Sequence, residues 1–387
     1  MKNEETTFGD QRESQWLRIP KSYCDDILAA ANETLPWEKL QECNVLITGA
    51  TGLIGGCLVE VLMSRGDVNV YAAGRNEERA YRRFAEYKDN PRFHFFKYDV
   101  SRPLSDVSRP LSDVSRPLSE GTSSPLSEGN SIPFHYIIHA ASDASPAAFA
   151  STPVDVIKSN IYGTANLIEY GMVNGMRRFL YVSTGEVYGE GGATEETPDG
   201  PAFKETDSGY VNPVLPRSCY PSSKRAAETL CAAYKEQYGA DVVIARPCHT
   251  YGPHFTPSDN RVYAQFIRNV LRDEDIVMKS EGSQFRSWCY VVDCVRALLY
   301  ILLKGESGEA YNIADTNSNI TISQLAEMIA GAAGRKVVMQ IPKDSESNGY
   351  NRVTRSLFST RKLEALGWTI AGNMSYKLAR TVEIAQI

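Results

Sequence analysis

The sequence predicts an α/β protein built on a doubly wound parallel sheet, followed by a smaller mixed α/β lobe. Three observations lead there. A β-branched run, Asn44 to Thr48, enters a glycine-rich turn that opens a helix at Leu53 to Ser64. Short apolar runs then alternate with stretches of helical periodicity as far as about residue 250. Beyond that point the alternation loosens.

The elements run in order. In the first helix Leu58, Val59 and Leu62 recur at helical spacing; Val68 to Ala72 is a second strand, Glu77 to Tyr87 a charged helix and Phe93 to Tyr98 a third strand. His135 to Ala141, Phe179 to Ser183 and Val242 to Pro247 continue the sheet, separated by helices at Val154 to Tyr170 and Pro221 to Tyr238. A helix at Val262 to Leu271, the strand-like SWCYVVD at 287–293, and helices near Cys294 to Leu303 and Ile322 to Ala333 complete the chain. The expected division is an N-terminal arm at 1–43, a sheet domain at 44–251 to which 287–304 return, and a lobe at 252–387. Within the arm, Tyr23 to Leu40 reads as one helix with Ile27, Leu28 and Ala31 on its apolar face.

Between Asp99 and Ser119 the unit DVSRPLS occurs three times and then decays into EGTSSPLSEGN. Proline in every copy removes a backbone donor and blocks both helix and central strand, so 100–131 reads as an inserted surface loop. At 387 residues, 42% of them hydrophobic, the chain is long enough to bury a large core. Its net charge of −6 argues against a general nucleic-acid or anionic-membrane partner, and no run approaches the length of a membrane span. Eight cysteines lie singly, without metal-site or redox spacing, which points to reduced thiols in the cytoplasm and to no bound metal.

Chemistry concentrates in three places. In Gly49-Ala50-Thr51-Gly52-Leu53-Ile54-Gly55, between strand and helix, the glycines allow a tight turn and close approach of a diphosphate to a helix N-terminus, the mark of a Rossmann-like NAD(P) site. At the ribose edge stand Arg75 and Asn76 rather than an acid; Arg75 could grip a 2′-phosphate or merely cap the next helix, so NAD and NADP both remain open. Tyr220 and Lys224, four apart on one helix face, suit a phenol acidified by an ammonium and acting as general base, with Lys224 free to hold a ribose hydroxyl. Ser183, Thr184 and Glu186 end a sheet strand on its ligand-binding edge, where Thr184 can hydrogen-bond a sugar hydroxyl and Glu186 can act as acid or base at a neighbouring carbon.

Together, GATGLIG, Asp99-Val100, HAAS at 139–142, STGEVYG at 183–189, YPSSK at 220–224 and ARPCHTYGP at 245–253 resemble the extended short-chain dehydrogenase/reductase family, and within it the nucleotide-sugar epimerases, dehydratases and decarboxylases. The resemblance runs from about 44 to 370 and leaves out only the arm and the repeat. It implies that Asp99 and Val100 flank the adenine, that Ala140, Ala141 and Ser142 line the dinucleotide, that Tyr220 and Lys224 act at the sugar C4 hydroxyl, and that Pro247 lies beside the nicotinamide. Asp99 is preferred over its repeat copies Asp106 and Asp113 because it directly follows the strand FHFFKY.

The family removes hydride from sugar C4, and its branches differ in the fate of the resulting 4-keto sugar. Thr-x-Glu at 184–186 resembles decarboxylases of UDP-glucuronate and dehydratases of GDP-mannose more than simple 4-epimerases. ASDASPAAF at 141–149, which contains Ser145, SDNRVYAQFI at 258–267 and GSQFRSWCYV at 282–291 lean toward the decarboxylase, with Arg261 and Arg286 as implied anion ligands. The expectation is a homodimeric, NAD(P)-dependent enzyme on a UDP-linked sugar, with a 4,6-dehydratase, a 4-epimerase and a catalytically inert cofactor-binding scaffold as alternatives. Two positions depart from the family: Gly185 stands where decarboxylases usually have serine, and His249 where asparagine is usual.

Overall fold

The computed structural model describes residues 21–104, 131–341 and 354–385. Six parallel strands, β1 (Asn44–Thr48), β2 (Asn69–Gly74), β3 (Phe93–Lys97), β4 (Tyr136–His139), β5 (Arg178–Val182) and β6 (Val242–Pro247), form the sheet with a seventh, Ala310–Ile313. Their spatial order is Ala310–Ile313, β6, β5, β4, β1, β2, β3, with Val45 opposite Val70 on one side and Tyr136 on the other. This is the Rossmann-like arrangement, and the sequence expectation of it holds. Helices cover both faces, so the strands are largely apolar, with polar residues mainly at their ends; β4 is buried at all four positions. The order reverses between β1 and β4, and a crevice opens there beyond the carboxyl ends of the strands.

One face is covered by α1 (Lys21–Ala31), α2 (Leu53–Arg65) and the helix Val291–Lys304, which is buried all round, as suits a helix between a sheet and a second layer. The other carries the paired helices Pro153–Val173 and Cys219–Tyr238. A smaller sheet places Phe285–Tyr290 between antiparallel Asp315–Thr321 and the parallel strands His249–Tyr251 and Arg355–Ser356.

Four expectations change. The N-terminal helix ends at Ala31 and a separate turn of 3₁₀ helix spans Trp37–Lys39, because Pro36 cannot continue a helix. Tyr23, Ile27, Ala30 and Ala31 are buried in the same core as the sheet, so the chain from residue 21 is part of the domain rather than an arm before it. The strand expected at 287–293 stops at Tyr290, and Val291 begins a helix whose first turn carries Asp293 on the favourable end of the helix dipole. The sheet does not end near residue 250, since Ala310–Ile313 returns to it from within the expected lobe. The glycine turn runs into α2 as expected, and the charged helix after β2, α3 (Glu77–Arg83), stops four residues early. All of the repeat after its first copy lies outside the described residues.

Candidate active site

Local geometry first forms the turn after β1. Gly49 adopts φ +69°, and a Cβ there would stand 2.7 Å from the Ala140 carbonyl oxygen of the neighbouring strand end; one on Gly55 would collide with the Gly49 carbonyl. Only glycine lets β1, β4 and α2 meet this closely. Gly52 is the N-cap of α2 and offers no side-chain acceptor, so the first-turn amides stand unsatisfied at the wall that Leu53, Ile54 and Gly55 give the crevice.

This half of the crevice encloses about 710 Å³, within the ~300–1,000 Å³ usual for ligand sites. Thr51, Arg75, Asn76, Asp99, Val100, Ala140, Ala141 and Ser142 line it with the turn. Asn76 is occupied in capping α3, its Oδ1 accepting from Arg79 N at 2.8 Å. Arg75 is 68% exposed and among the described residues reaches only Asp143, at 3.5 Å. Asp99 accepts from the Ser101 amide and hydroxyl, and the copies at Asp106 and Asp113 lie outside the described residues. Ser145 also borders this half, but its hydroxyl caps the helix Pro146–Ser151 by accepting from Ala148 N at 3.3 Å.

A second, contiguous cavity of about 350 Å³ brings Ser183, Thr184, Glu186, Tyr220, Lys224, Pro247, His249 and Arg261 together. Tyr220 is buried and stacked on Phe149 at 4.8 Å between ring centres. Its phenol is pushed up by burial and then by the Glu186 charge; a Thr184 hydrogen bond and the guanidinium groups of Arg261 and Arg217 oppose this. Lys224 is not among the leading influences on the Tyr220 phenol. Its Nζ donates to the Val182 carbonyl at 2.8 Å, lies over Tyr181 and stands 5.9 Å from the Tyr220 ring centre. Burial lowers its own pKa to about 7.

Beyond Tyr220 the cavity is rich in guanidinium. Arg217 grips both oxygens of Glu186, at 3.2 and 3.1 Å, and lies over Phe149. Arg261 is neutralised by Asp259 at 2.6 Å. Arg286 lies behind the wall, its Nη1 donating to His249 Nε2 at 2.7 Å, and among the described residues it has no carboxylate partner and no acceptor for Nε. Because guanidinium always donates, His249 must carry its proton on Nδ1, a buried atom with no protein partner, and burial holds the ring neutral. A Cβ on Gly185 would collide with the Phe358 ring, which occupies the volume a serine side chain would need.

Comparison with known proteins adds an independent line. A model described as the NAD dependent epimerase/dehydratase family matches residues 127–314, and one described as polysaccharide biosynthesis protein matches 45–188. UDP-glucuronic acid decarboxylase 6 of Arabidopsis thaliana is 32% identical over 324 residues, covering 84% of this chain and 83% of its own. The chain belongs to the NAD dependent epimerase/dehydratase family. UDP-glucuronic acid decarboxylase 1 of Xenopus tropicalis is 30% identical over 75% of this chain and 61% of its own. Among solved structures, a dTDP-glucose 4,6-dehydratase from Bacillus anthracis in complex with NAD superposes with TM-score 0.68 at 22% identity, over 88% of this chain and 96% of its own. A UDP-glucose 4-epimerase from Thermotoga maritima superposes with TM-score 0.66 at 24% identity, over 88% and 98%.

As a member of the NAD dependent epimerase/dehydratase family the protein is an enzyme, and its residues fit that family's cofactor. The Ser142 and Ser183 hydroxyls, where the two cavities adjoin, are buried without partners among the described residues, and Lys224 spends one of its N–H donors on Val182. Sequence reasoning missed Arg217, Phe149 and Phe358. Arg217 carried a signal, standing three residues before Tyr220 at the entry to the same helix; the other two are ordinary core residues until packing places them against Tyr220 and Gly185.

Proposed function

We propose that the protein is an NAD-dependent UDP-glucuronate decarboxylase, working as a homodimer in the cytoplasm. The observation that carries the reading is Arg286: a largely buried guanidinium beside the Glu186–Arg217 pair, with no carboxylate of its own among the described residues. Such a group calls for an anionic substrate, and a planar fork matches a carboxylate or a diphosphate. The relatives more than 30% identical over four-fifths of the chain carry the decarboxylase name, which favours a sugar acid over a neutral hexose.

The residues suit that reaction. Bound NAD would accept and later return the C4 hydride, and its cationic ring would add positive charge to the cleft. Tyr220, which burial and Glu186 hold as the phenol in the protein alone, would take the C4 hydroxyl proton as a phenolate stabilised by Thr184, by Arg261 and Arg217 and by the cofactor's positive charge. The resulting ketone is β to the C6 carboxylate, so the C5–C6 bond breaks with release of carbon dioxide and its electrons pass into an enolate on C4 oxygen. Glu186, steered by Arg217, relays to C5 a proton taken up from solvent, which restores C5 once carbon dioxide has left. His249 Nδ1 meets the anionic side of the substrate, with Arg286 behind it fixing the ring's tautomer and supplying positive charge, and Ser183 and Lys224 hold the cofactor.

Three observations support the rest. Eight free, buried cysteines suit a reducing compartment. No helix among the described residues is long and apolar enough to cross a membrane. The outer faces of Pro153–Val173 and Cys219–Tyr238 expose Val154, Ile157, Tyr162, Met172, Val173 and Tyr238, apolar surface that a second copy would cover.

The test is purified protein with NAD and UDP-glucuronate. Carbon dioxide and a UDP-pentose are expected, and Tyr220→Phe should slow their formation about 10²–10⁴-fold. No carbon dioxide from UDP-glucuronate, with a 4-keto-6-deoxy product from dTDP-glucose or GDP-mannose, would replace this reading with a 4,6-dehydratase.

A further inference from the structure

We infer that α1, the helix Lys21–Ala31, acts through Tyr23 as a positioning element for the dinucleotide turn; the inference rests on the proposed cofactor site. Three buried polar side chains connect them. Tyr23 Oη donates to Glu60 Oε2 at 2.6 Å. Glu60, on α2, accepts from Arg83 Nε at 3.1 Å, and Arg83 Nη1 donates to the Gly52 carbonyl at 2.9 Å. Tyr23 is fully buried, Glu60 is 3% exposed and the Arg83 side chain 9%.

A buried ion pair is costly to assemble and needs its remaining lone pairs satisfied, so this one calls for a reason to exist. Its end point supplies one. Gly52 is the N-cap whose backbone orients the first-turn amides of α2, and its carbonyl accepts from the Arg83 guanidinium as well as from the Gly56 amide at 3.0 Å. Arg83 is the last residue of α3, whose first cap, Asn76, stands at the ribose edge. One guanidinium therefore ties the diphosphate turn to the helix of the ribose edge. The passage is cut to fit it, because a Cβ on Gly56 would collide with the Arg83 guanidinium.

Glu60 orients the guanidinium, and Tyr23 orients Glu60. Without the phenol, the carboxylate would lose its one neutral hydrogen bond among the described residues and gain freedom to swing, and the fork on Gly52 would loosen with it. The Tyr23 ring also meets His254 edge-on at 5.0 Å, at the start of the loop that carries Asp259 and Arg261 to the opposite wall. The hydroxyl serves one wall and the ring the other, so the two contacts can be separated.

Tyr23→Phe keeps the ring and removes only the hydroxyl. It should weaken NAD binding, measured by calorimetry, about three- to tenfold while leaving UDP affinity within about twofold. Arg83→Lys, which keeps the charge and loses the fork, should do the same or more. Hydrogen exchange of the Gly56 amide, which donates to the Gly52 carbonyl at 3.0 Å, should quicken in both variants without ligand, and Glu60→Gln, of the same shape, substitutes for either variant that fails to fold. Unchanged NAD affinity in the folded variants, or NAD and UDP weakened alike, would overturn the inference. If the wild-type chain binds no dinucleotide, the cofactor site falls instead, and unaltered amide exchange in Tyr23→Phe then overturns the relay on its own.

Discussion

At the scale of single residues, burial sets the charge of Lys224 before any ligand does. Its pKa is lowered from 10.5 to about 7 by desolvation, so folding favours its neutral form. Between pH 7 and 10.5 the unfolded chain binds a proton there that the folded chain does not, and the stability of the protein falls as pH is lowered through that window. Below pH 7 the lysine is charged in both states and its full desolvation penalty remains. Lys224→Met should therefore lose activity yet raise the melting temperature of the cofactor-free protein, most at pH 6 and hardly at all near pH 10. Melting curves across that range check it; a stabilisation that grows toward high pH would contradict the assignment. The same residue shows how far spacing reaches. An i to i+4 pair guarantees a shared helix face but says nothing about which acceptor the ammonium finds, and Lys224 finds the Val182 carbonyl.

At the scale of elements, legibility followed covering. Strands β1 to β6 are flanked on both faces, so their apolar runs stood out, and the glycine turn between β1 and α2 was readable because steric closeness permits only one residue type at Gly49 and Gly55. Ala310–Ile313 is four residues long and contains Asn312, which pairs with Tyr188 and Phe203 across chain distances that no local pattern reveals. Val291 and Val292 look like strand because they are β-branched, but tertiary burial puts them in a helix. Of the candidate site, the residues on strand ends and on the Tyr220 helix were legible, whereas the partners of Glu186 and Gly185 come from other elements. The paired helices Pro153–Val173 and Cys219–Tyr238 carry a prediction of their own. Val173 is 83% exposed at the end of an apolar stripe, so Val173→Glu should place a charge in the proposed dimer face. Sedimentation should then show a shift to monomer with the fold intact; a wild-type monomer, or an unaltered dimer in the variant, would place the contact elsewhere.

At the scale of the whole molecule, the sheet and the second lobe are joined by buried charge as well as by apolar packing. Asp293, on the helix beneath the sheet, pairs with Arg296 at 2.9 Å and with Lys377 of the C-terminal helix Met374–Ala385 at 2.5 Å. Arg296 reaches back to Glu33 just after α1, and Arg380 pairs with Asp26 on α1 itself. The first and last described helices thus meet over the same aspartate-bearing helix, which ties α1 and Met374–Ala385 into one unit. Removing one partner of a buried pair is far more costly than removing both, because the carboxylate left behind has neither water nor counter-charge. Lys377→Met should accordingly lower the unfolding free energy by about 3 kcal/mol, since Arg296 still partly neutralises Asp293. Adding Asp293→Asn should recover much of that loss, the non-additivity expected of groups in one network. Denaturant melts of the two single variants and the double variant measure it. Purely additive losses would mean that the C-terminal helix is held by its apolar face alone, through Met374, Leu378 and Val382.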